Sequence, residues 1–341
     1  MPDNDLVPKK RATLRDIARQ ANVSTSTVSR VLNNYPYVDE YTRTIVRQAA
    51  QELDYALENL RSTPNASSSV ALLSRQTKAD QIGSLAGIEY LAARGIQAVM
   101  EADGITTYVR RVQMTRREVD ELVEDPTLDG LIILGGMIEH DFVRWLQASP
   151  MPFVMAGSHV LPLQTNCVMA DIRSGIEQAV EHLVERGRRR IGLVNGSQIT
   201  NTSVEKLKAL RLSLHLHDLP YVPEQTVFSD FNAEAGHRDT LRLLEQCPDV
   251  DAILYGDDNM AMGGLRALKE TGRRVPDDVA IVGFHGYEVV QYTDPPLTSV
   301  EFDMEMLGRM AAHRLCLMLR ERDSEHWQML VPTRLVVRGT T

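Results

Sequence analysis

The chain has 341 residues, 43% apolar and 24% charged, near the averages of globular proteins at about 45–50% and about 25%. Its net charge of −9 is uneven: residues 9–48 hold eight basic side chains against three acidic ones (+5), leaving −14 for the rest. These figures exclude wholesale disorder, collagen and coiled coil, ask for two or three domains at roughly 100–200 residues each, and put a basic head on an acidic body. Phosphate neutralisation needs Lys and Arg on one face only, so that asymmetry suits a localised DNA-binding module, although a solvated charged terminus has the same signature.

The pattern inside the head decides between them. Thr13-Leu14-Arg15-Asp16 is a Ser/Thr-x-x-acid start that caps a first helix. Leu14, Ile17, Ala18 and Ala21 recur at i, i+3, i+4 and i+7, the stripe of a short amphipathic helix. Asn22 tolerates the left-handed backbone of a tight turn, and Val23 drops back into the core. Ser24 restarts a helix that buries Val28, Val31 and Leu32 and turns Thr25, Ser26, Thr27, Ser29 and Arg30 outward. A helix with a narrow buried edge and a polar exposed N-terminus fits a major groove. A third helix is expected from about Glu40 to Leu53, packing through Ile45, Val46, Ala49, Ala50 and Leu53.

Residues 13–55 closely resemble the headpiece of lactose-repressor-family (LacI/GalR) regulators, most specifically over Val23-Ser24-Thr25-Ser26-Thr27-Val28-Ser29-Arg30-Val31-Leu32-Asn33. The likeness runs more weakly over nearly all the remaining chain. It implies base-reading roles for Thr25, Ser26 and Arg30, with Thr13, Leu14, Ser24, Thr27, Ser29, Asn33, Tyr37 and Thr42 near the DNA backbone. It divides the chain into a headpiece (1–61), a linker or hinge (62–69) and an effector-binding, dimerising body (70–341). The linker, Ser-Thr-Pro-Asn-Ala-Ser-Ser-Ser, is small and polar, a flexible composition. In the family this junction carries a short helix that wedges a Leu into the minor groove. Here Tyr55 is followed by Ala56-Leu57-Glu58-Asn59-Leu60-Arg61 in place of the usual Pro-Asn opening. Leu57 or Leu60 acts as the wedge with Arg61 as a groove or phosphate contact, or both leucines finish the packing of the third helix.

From residue 70 short apolar runs alternate with helical patterns. Strands are expected at Val70–Leu73, Gln97–Met100, Gly130–Leu134, Pro152–Met155, Arg190–Val194, Ala252–Tyr255 and Val279–Phe284. Helices are expected over about Gly83–Arg94, Arg116–Val123, Ser174–Glu185, Val204–His217, Ala233–Gln246 and Asn259–Glu270. The alternation predicts an α/β body of parallel sheets covered on both faces. Crossings between two lobes are expected from Pro150/Pro152 to Asp171 and at Pro295–Thr298. The resemblance implies the same two-lobed, periplasmic-binding-protein-like body with an effector cleft between the lobes.

In open α/β sheets ligands gather beyond the carboxyl ends of strands. The candidates there are Ser74, Arg75 and Asp80 on the first lobe, and Lys206, Asp257 and His285 on the second. In sugar-binding relatives Lys206 stands where Arg is usual, Asp257 where Asn or Asp is usual, and His285 where Asp is usual. The resemblance therefore implies a small polar effector, and these exchanges lean it toward a modified or acidic sugar derivative. Asp258 reads as a helix cap, and Lys206 and His285 read equally as plain loop residues.

The rival classes are an enzyme and a cytoplasmic small-molecule-binding protein on the same fold. No Gly-x-Ser-x-Gly, His-Glu-x-x-His, Gly-x-x-x-x-Gly-Lys or Gly-x-Gly-x-x-Gly occurs, and neither metal-ligand spacing nor a cofactor motif is present. Cys167, Cys247 and Cys316 are widely spaced, which argues against a disulfide framework. Without an apolar run of about 18 residues or a secretory leader, a cytoplasmic location away from membranes is expected. The partners expected are a near-palindromic DNA site, a small polar effector and a second copy of the chain.

Overall fold

The computed structural model describes residues 12–32, 38–53, 55, 68–75, 88–136, 138–321 and 325–341. Asn33, Tyr37, Leu57, Leu60, Arg61, Asp80 and most of the linker lie outside the described residues.

The head is three helices, α1 (Leu14–Ala21), α2 (Thr25–Leu32) and α3 (Glu40–Glu52). Thr13 caps α1, and the Asp16 carboxylate reaches back to accept from its amide at 3.0 Å and its hydroxyl at 2.6 Å. Asn22 turns the chain at φ 53°, a left-handed conformation that Asn tolerates at little cost. Ser24 then accepts from the Thr27 amide at 3.1 Å and starts α2. Ile17, Val28, Val31, Val46 and Ala50 close the small core.

The body has two sheets. The first contains β1 (Ser69–Arg75), β2 (Thr106–Val112), β3 (Gly130–Leu134), β4 (Phe153–Ala156), β5 (Cys167–Ala170) and, arriving last, β11 (Gln328–Val331). Their order is β11-β5-β4-β3-β1-β2, all parallel. Helices α4 (Ile88–Ala102), α5 (Arg116–Glu124) and α6 (His140–Gln147) flank it. The second contains β6 (Ile191–Asn195), β7 (Thr226–Phe228), β8 (Ala252–Tyr255), β9 (Ala280–His285), β10 (Thr298–Phe302) and β12 (Thr333–Val336), in the order β12-β10-β9-β8-β6-β7. Only β12 runs antiparallel. Its helices are α7 (Ile172–Glu185), α8 (Asn201–Leu216), α9 (Ala233–Gln246) and α10 (Asp258–Glu270). Side chains alternate across each sheet, as strand geometry requires: Ile132 and Leu134 enter one core, Leu131 and Ile133 the other.

The chain changes lobe three times: at Asp171 between β5 and α7, at Asp303 between β10 and α11 (Met304–Arg320), and at Pro332 between β11 and β12. The first agrees with the sequence. The second does not fall at Pro295–Thr298, because those prolines lead into β10 and the crossing follows that strand. Gln97–Met100 is also corrected from strand to helix. Ala92, Ile96, Val99 and Met100 are all buried on one side of α4, a 3.6-residue rhythm that so short an apolar run could not declare. That helix meets α11 through Gly95 and Gly308, where a methyl would overlap the opposite backbone. Ser69, given to the linker, is already hydrogen-bonded into the sheet, its amide donating to Asp129 at 2.8 Å. The three cysteines are free and buried, and among the described residues no helix is long and apolar enough to cross a membrane.

Candidate DNA interface and effector cleft

The polar face of α2 is where the sequence puts base recognition, and it differs from expectation in exposure. Ser26 is 1% and Arg30 3% exposed, because this face lies against the first lobe. Ser26 donates to the Val123 carbonyl at 3.0 Å, and Arg30 Nη2 lies 3.4 Å from the Leu128 carbonyl and 3.6 Å from the Met151 sulfur. Val123 is in the last turn of α5, where unpaired carbonyls and the dipole favour donors and cations. Thr25, Thr27 and Ser29 are half-buried, and Thr13 is exposed. Ser24 and Thr27 spend their hydroxyls on each other, 2.8 Å apart. Thr42 bonds the Asp39 carboxylate that caps α3, through its amide at 2.8 Å and its hydroxyl at 2.6 Å. This face of α2 could enter a groove only if the Ser26 and Arg30 contacts to the lobe were broken.

The carboxyl ends of the two sheets face one another. Asn201, opening α8, donates to the His159 carbonyl beyond β4, and a methyl built on Gly136 beyond β3 would sit 3.5 Å from the Thr202 hydroxyl. Each sheet reverses its strand order there, between β1 and β3 and between β6 and β8, the position at which such folds bind ligands.

Lys206, Asp257 and His285, separated by up to 79 positions in the chain, converge on the second lobe's side. Lys206 is in α8 rather than in a loop, 1% exposed. Its ammonium lies 4.3 Å from the centre of the Phe284 ring and 5.8 Å from that of Phe231. Asp257, not Asp258, caps α10: one oxygen accepts from the Asn259 amide at 2.6 Å and the Met260 amide at 3.4 Å. Its other oxygen accepts from the Tyr287 hydroxyl at 3.2 Å. His285 Nδ1 stands 3.3 Å from that oxygen, within electrostatic range but off the line of a hydrogen bond. Asp258 is fully buried and accepts from the Ser299 hydroxyl at 2.6 Å and the Tyr287 amide at 2.8 Å. His285 ends β9 at φ 107°, a strained backbone for a residue with a side chain. Its ring stacks on Tyr287 with centres 5.4 Å apart.

Burial drives the electrostatics. It lowers the Lys206 ammonium to about 8, opposed by Asp257 and Asp258, and raises the Asp258 carboxyl to about 7 against its hydrogen bonds. It also lowers His285, which favours the neutral ring. Burial pushes Asp257 up as well, but His285, the Asn259 amide and Lys206 outweigh it, so this carboxylate stays ionised. Neither Phe231 nor Tyr287 is among the sequence candidates, and Phe284 reads there only as a strand residue; for Phe231 and Tyr287 an aromatic just beyond a strand's carboxyl end is the signal available. On the first lobe, Ser74 donates to Glu89 at 2.7 Å and Arg75 pairs with Glu139 at 2.9 Å. Among the described residues no group of His, Cys, Asp and Glu is arranged to hold a metal.

A helix-turn-helix head on a two-lobed parallel α/β body defines a DNA-binding transcriptional regulator with a periplasmic-binding-protein-like body. Comparison with known proteins agrees. The profile for bacterial regulatory proteins of the lacI family matches residues 13–57, and that for a periplasmic binding protein-like domain matches residues 180–341. The HTH-type transcriptional regulator CelR of Thermobifida fusca is 30% identical over 97% of this chain and 98% of its own. A solved CelR–cellobiose complex superposes with a TM-score of 0.73 at 29% identity, covering 97% of this chain and 100% of that one. The lac repressor dimer bound to operator and the anti-inducer ONPF superposes at 0.71 and 25% identity, covering 97% and 99%. The chain belongs to the LacI family of bacterial regulatory proteins.

Proposed function

We propose that this regulator is a homodimeric repressor that binds a near-palindromic operator and releases or tightens on it when a small polar effector, a sugar or sugar derivative, enters the cleft between its lobes. The observation that carries the reading is a helix-turn-helix head joined to a body whose second lobe gathers buried polar groups at the sheet's switch point. Thr25, Ser26 and Arg30 read bases, while Thr13, Leu14, Ser24, Thr27, Ser29, Asn33, Tyr37 and Thr42 hold the backbone. Leu57, Leu60 and Arg61 serve the hinge, and Asp80, Lys206, Asp257 and His285 serve the effector. One module offers too little surface for high affinity at physiological salt, which supports a dimer on two half-sites. The solved relatives with bound cellobiose and with operator and anti-inducer support the two ligand classes. An effector acts on operator affinity only through its different affinity for two lobe arrangements, typically about 1–3 kcal/mol of coupling.

Removing residues 1–61 tests the reading. The truncated chain is expected to lose operator binding and keep effector binding. Operator binding that survives the truncation, or a single unsymmetric half-site in footprinting of the full chain, contradicts it.

A further inference from the structure

We propose that the second-lobe cluster selects an anionic effector, a small polar molecule whose carboxylate or phosphate oxygens are held by Lys206, over the corresponding neutral sugar. The proposal rests on the reading of the cleft as the effector site.

It follows from counting donors and acceptors. A neutral sugar is read largely by carboxylates that accept from its hydroxyls, so a sugar site needs acceptors to spare. Here they are spoken for. One oxygen of Asp257 serves the amides that open α10, and the other takes the Tyr287 hydroxyl with His285 beside it. Both oxygens of Asp258 are occupied, by Ser299 and by the Tyr287 amide.

What remains is a donor. The Lys206 ammonium makes no hydrogen bond among the described residues, although it is 1% exposed and has three N–H groups to satisfy. The faces of Phe284 and Phe231 attract its charge but leave those hydrogen bonds unmade. A buried ammonium without acceptors is costly, and an oxyanion that supplies short charge-assisted bonds removes that cost. Asp257 does not forbid this, because the amides that open α10 and the Tyr287 hydroxyl already offset its charge. The aromatic rings beside the ammonium make its surroundings less polar, and attraction between an ammonium and an oxyanion strengthens as the surroundings become less polar. Since burial has brought Lys206 down to about 8, the preference for an acid fades as the pH rises past that value.

Calorimetric titration and thermal shift of the full chain test the proposal. The probes are glucuronate, galacturonate and gluconate as carboxylates, glucose 6-phosphate as the phosphate, and glucose and galactose as neutral parents. At least one acid is expected to bind about tenfold or more tighter than its neutral parent, the equivalent of one extra charge-assisted contact. Which acid responds separates carboxylate from phosphate. Lys206→Met should reduce that preference to about twofold or less, and Lys206→Arg should restore most of it, as expected if the charge provides the discrimination. Circular dichroism and operator binding without ligand check that both variants are folded. Neutral parents that bind as tightly as the acids, an acid preference that survives Lys206→Met, or no response to any acid would each overturn the proposal. Failure of the cleft reading looks different: a ligand of either kind would bind Lys206→Met and Asp257→Ala as strongly as the parent.

Discussion

The head and the second lobe solve recognition in opposite ways. The head's candidate contacts come from one stretch of chain and sit on short helices around a small core of Ile17, Val28, Val31, Val46 and Ala50. The lobe's come from α8, the start of α10, the end of β9 and the residues just beyond it, held between two cores that bury whole strands. A few side chains therefore hold the head's fold. The second-lobe cluster is buried, and its chemistry depends on that burial.

The difference is sharpened most by salt. With about six to eight phosphates neutralised per dimer, the log–log slope of operator affinity on salt should be roughly −5 to −7, a loss of about 10³–10⁴ between 50 and 200 mM. Effector affinity, set inside the lobe, should move far less. A slope near zero in a filter-binding or anisotropy titration would reduce residues 9–48 to a charged tail.

Next comes the core of the head. Ile17 is fully buried, and Ile17→Ala should cost about 2–5 kcal/mol, a large part of what a small unit has to spend. Calorimetry is expected to show the head's transition shifted down or lost with that of the lobes unchanged. A uniform shift of all transitions would mean that head and body fold as one unit.

Within the lobe, Asp258 provides a pH handle. Its folded carboxyl is held at about 7, above its ordinary value, so at intermediate pH the folded state keeps a proton that the unfolded chain releases. Stability should therefore fall as pH rises from the usual carboxylate range to about 7 and level off above it. Asp258→Asn should flatten that fall, worth about 4 kcal/mol at most, as read from urea midpoints across the range. An unchanged profile would show that Asp258 is ionised throughout.

The smallest expected effect is at Arg30. Arg30→Ala should weaken operator binding by about 1–3 kcal/mol, toward the lower end because the variant also loses the contacts to Leu128 and Met151 that hold the free head on the lobe. Unchanged affinity in a gel-shift series over operator variants would remove Arg30 from base recognition.

What could be read from the sequence follows the same division. Helix α9 and strand β8 match their sequence-derived bounds residue for residue, since each has an unbroken rhythm between clear stops. Strand β2 could not be read: it is a sheet edge whose Tyr108 and Val109 are exposed beside Arg110, so burial imposes no alternation. Helix α11 was missed although Leu307, Ala311 and Leu315 form a stripe, because its small and sulfur-bearing residues dilute the pattern. At the cleft, the convergence of Lys206, Asp257 and His285 could be expected from position in the fold and from the family resemblance, whereas the part played by Tyr287 could not. Its importance comes from contacts with Asp257, Asp258 and His285 that exist only after folding. The head's sequence likewise gives no sign that Ser26 and Arg30 are covered, because the surface covering them begins some 97 residues further along the chain.

The most direct test of the account is operator affinity measured by fluorescence anisotropy with and without a saturating cleft ligand, in the parent and in Asp257→Ala. The account predicts that the ligand changes the parent's operator affinity by about 5–150-fold and leaves that of Asp257→Ala unchanged. Equal operator affinity of the parent with and without bound ligand would contradict it.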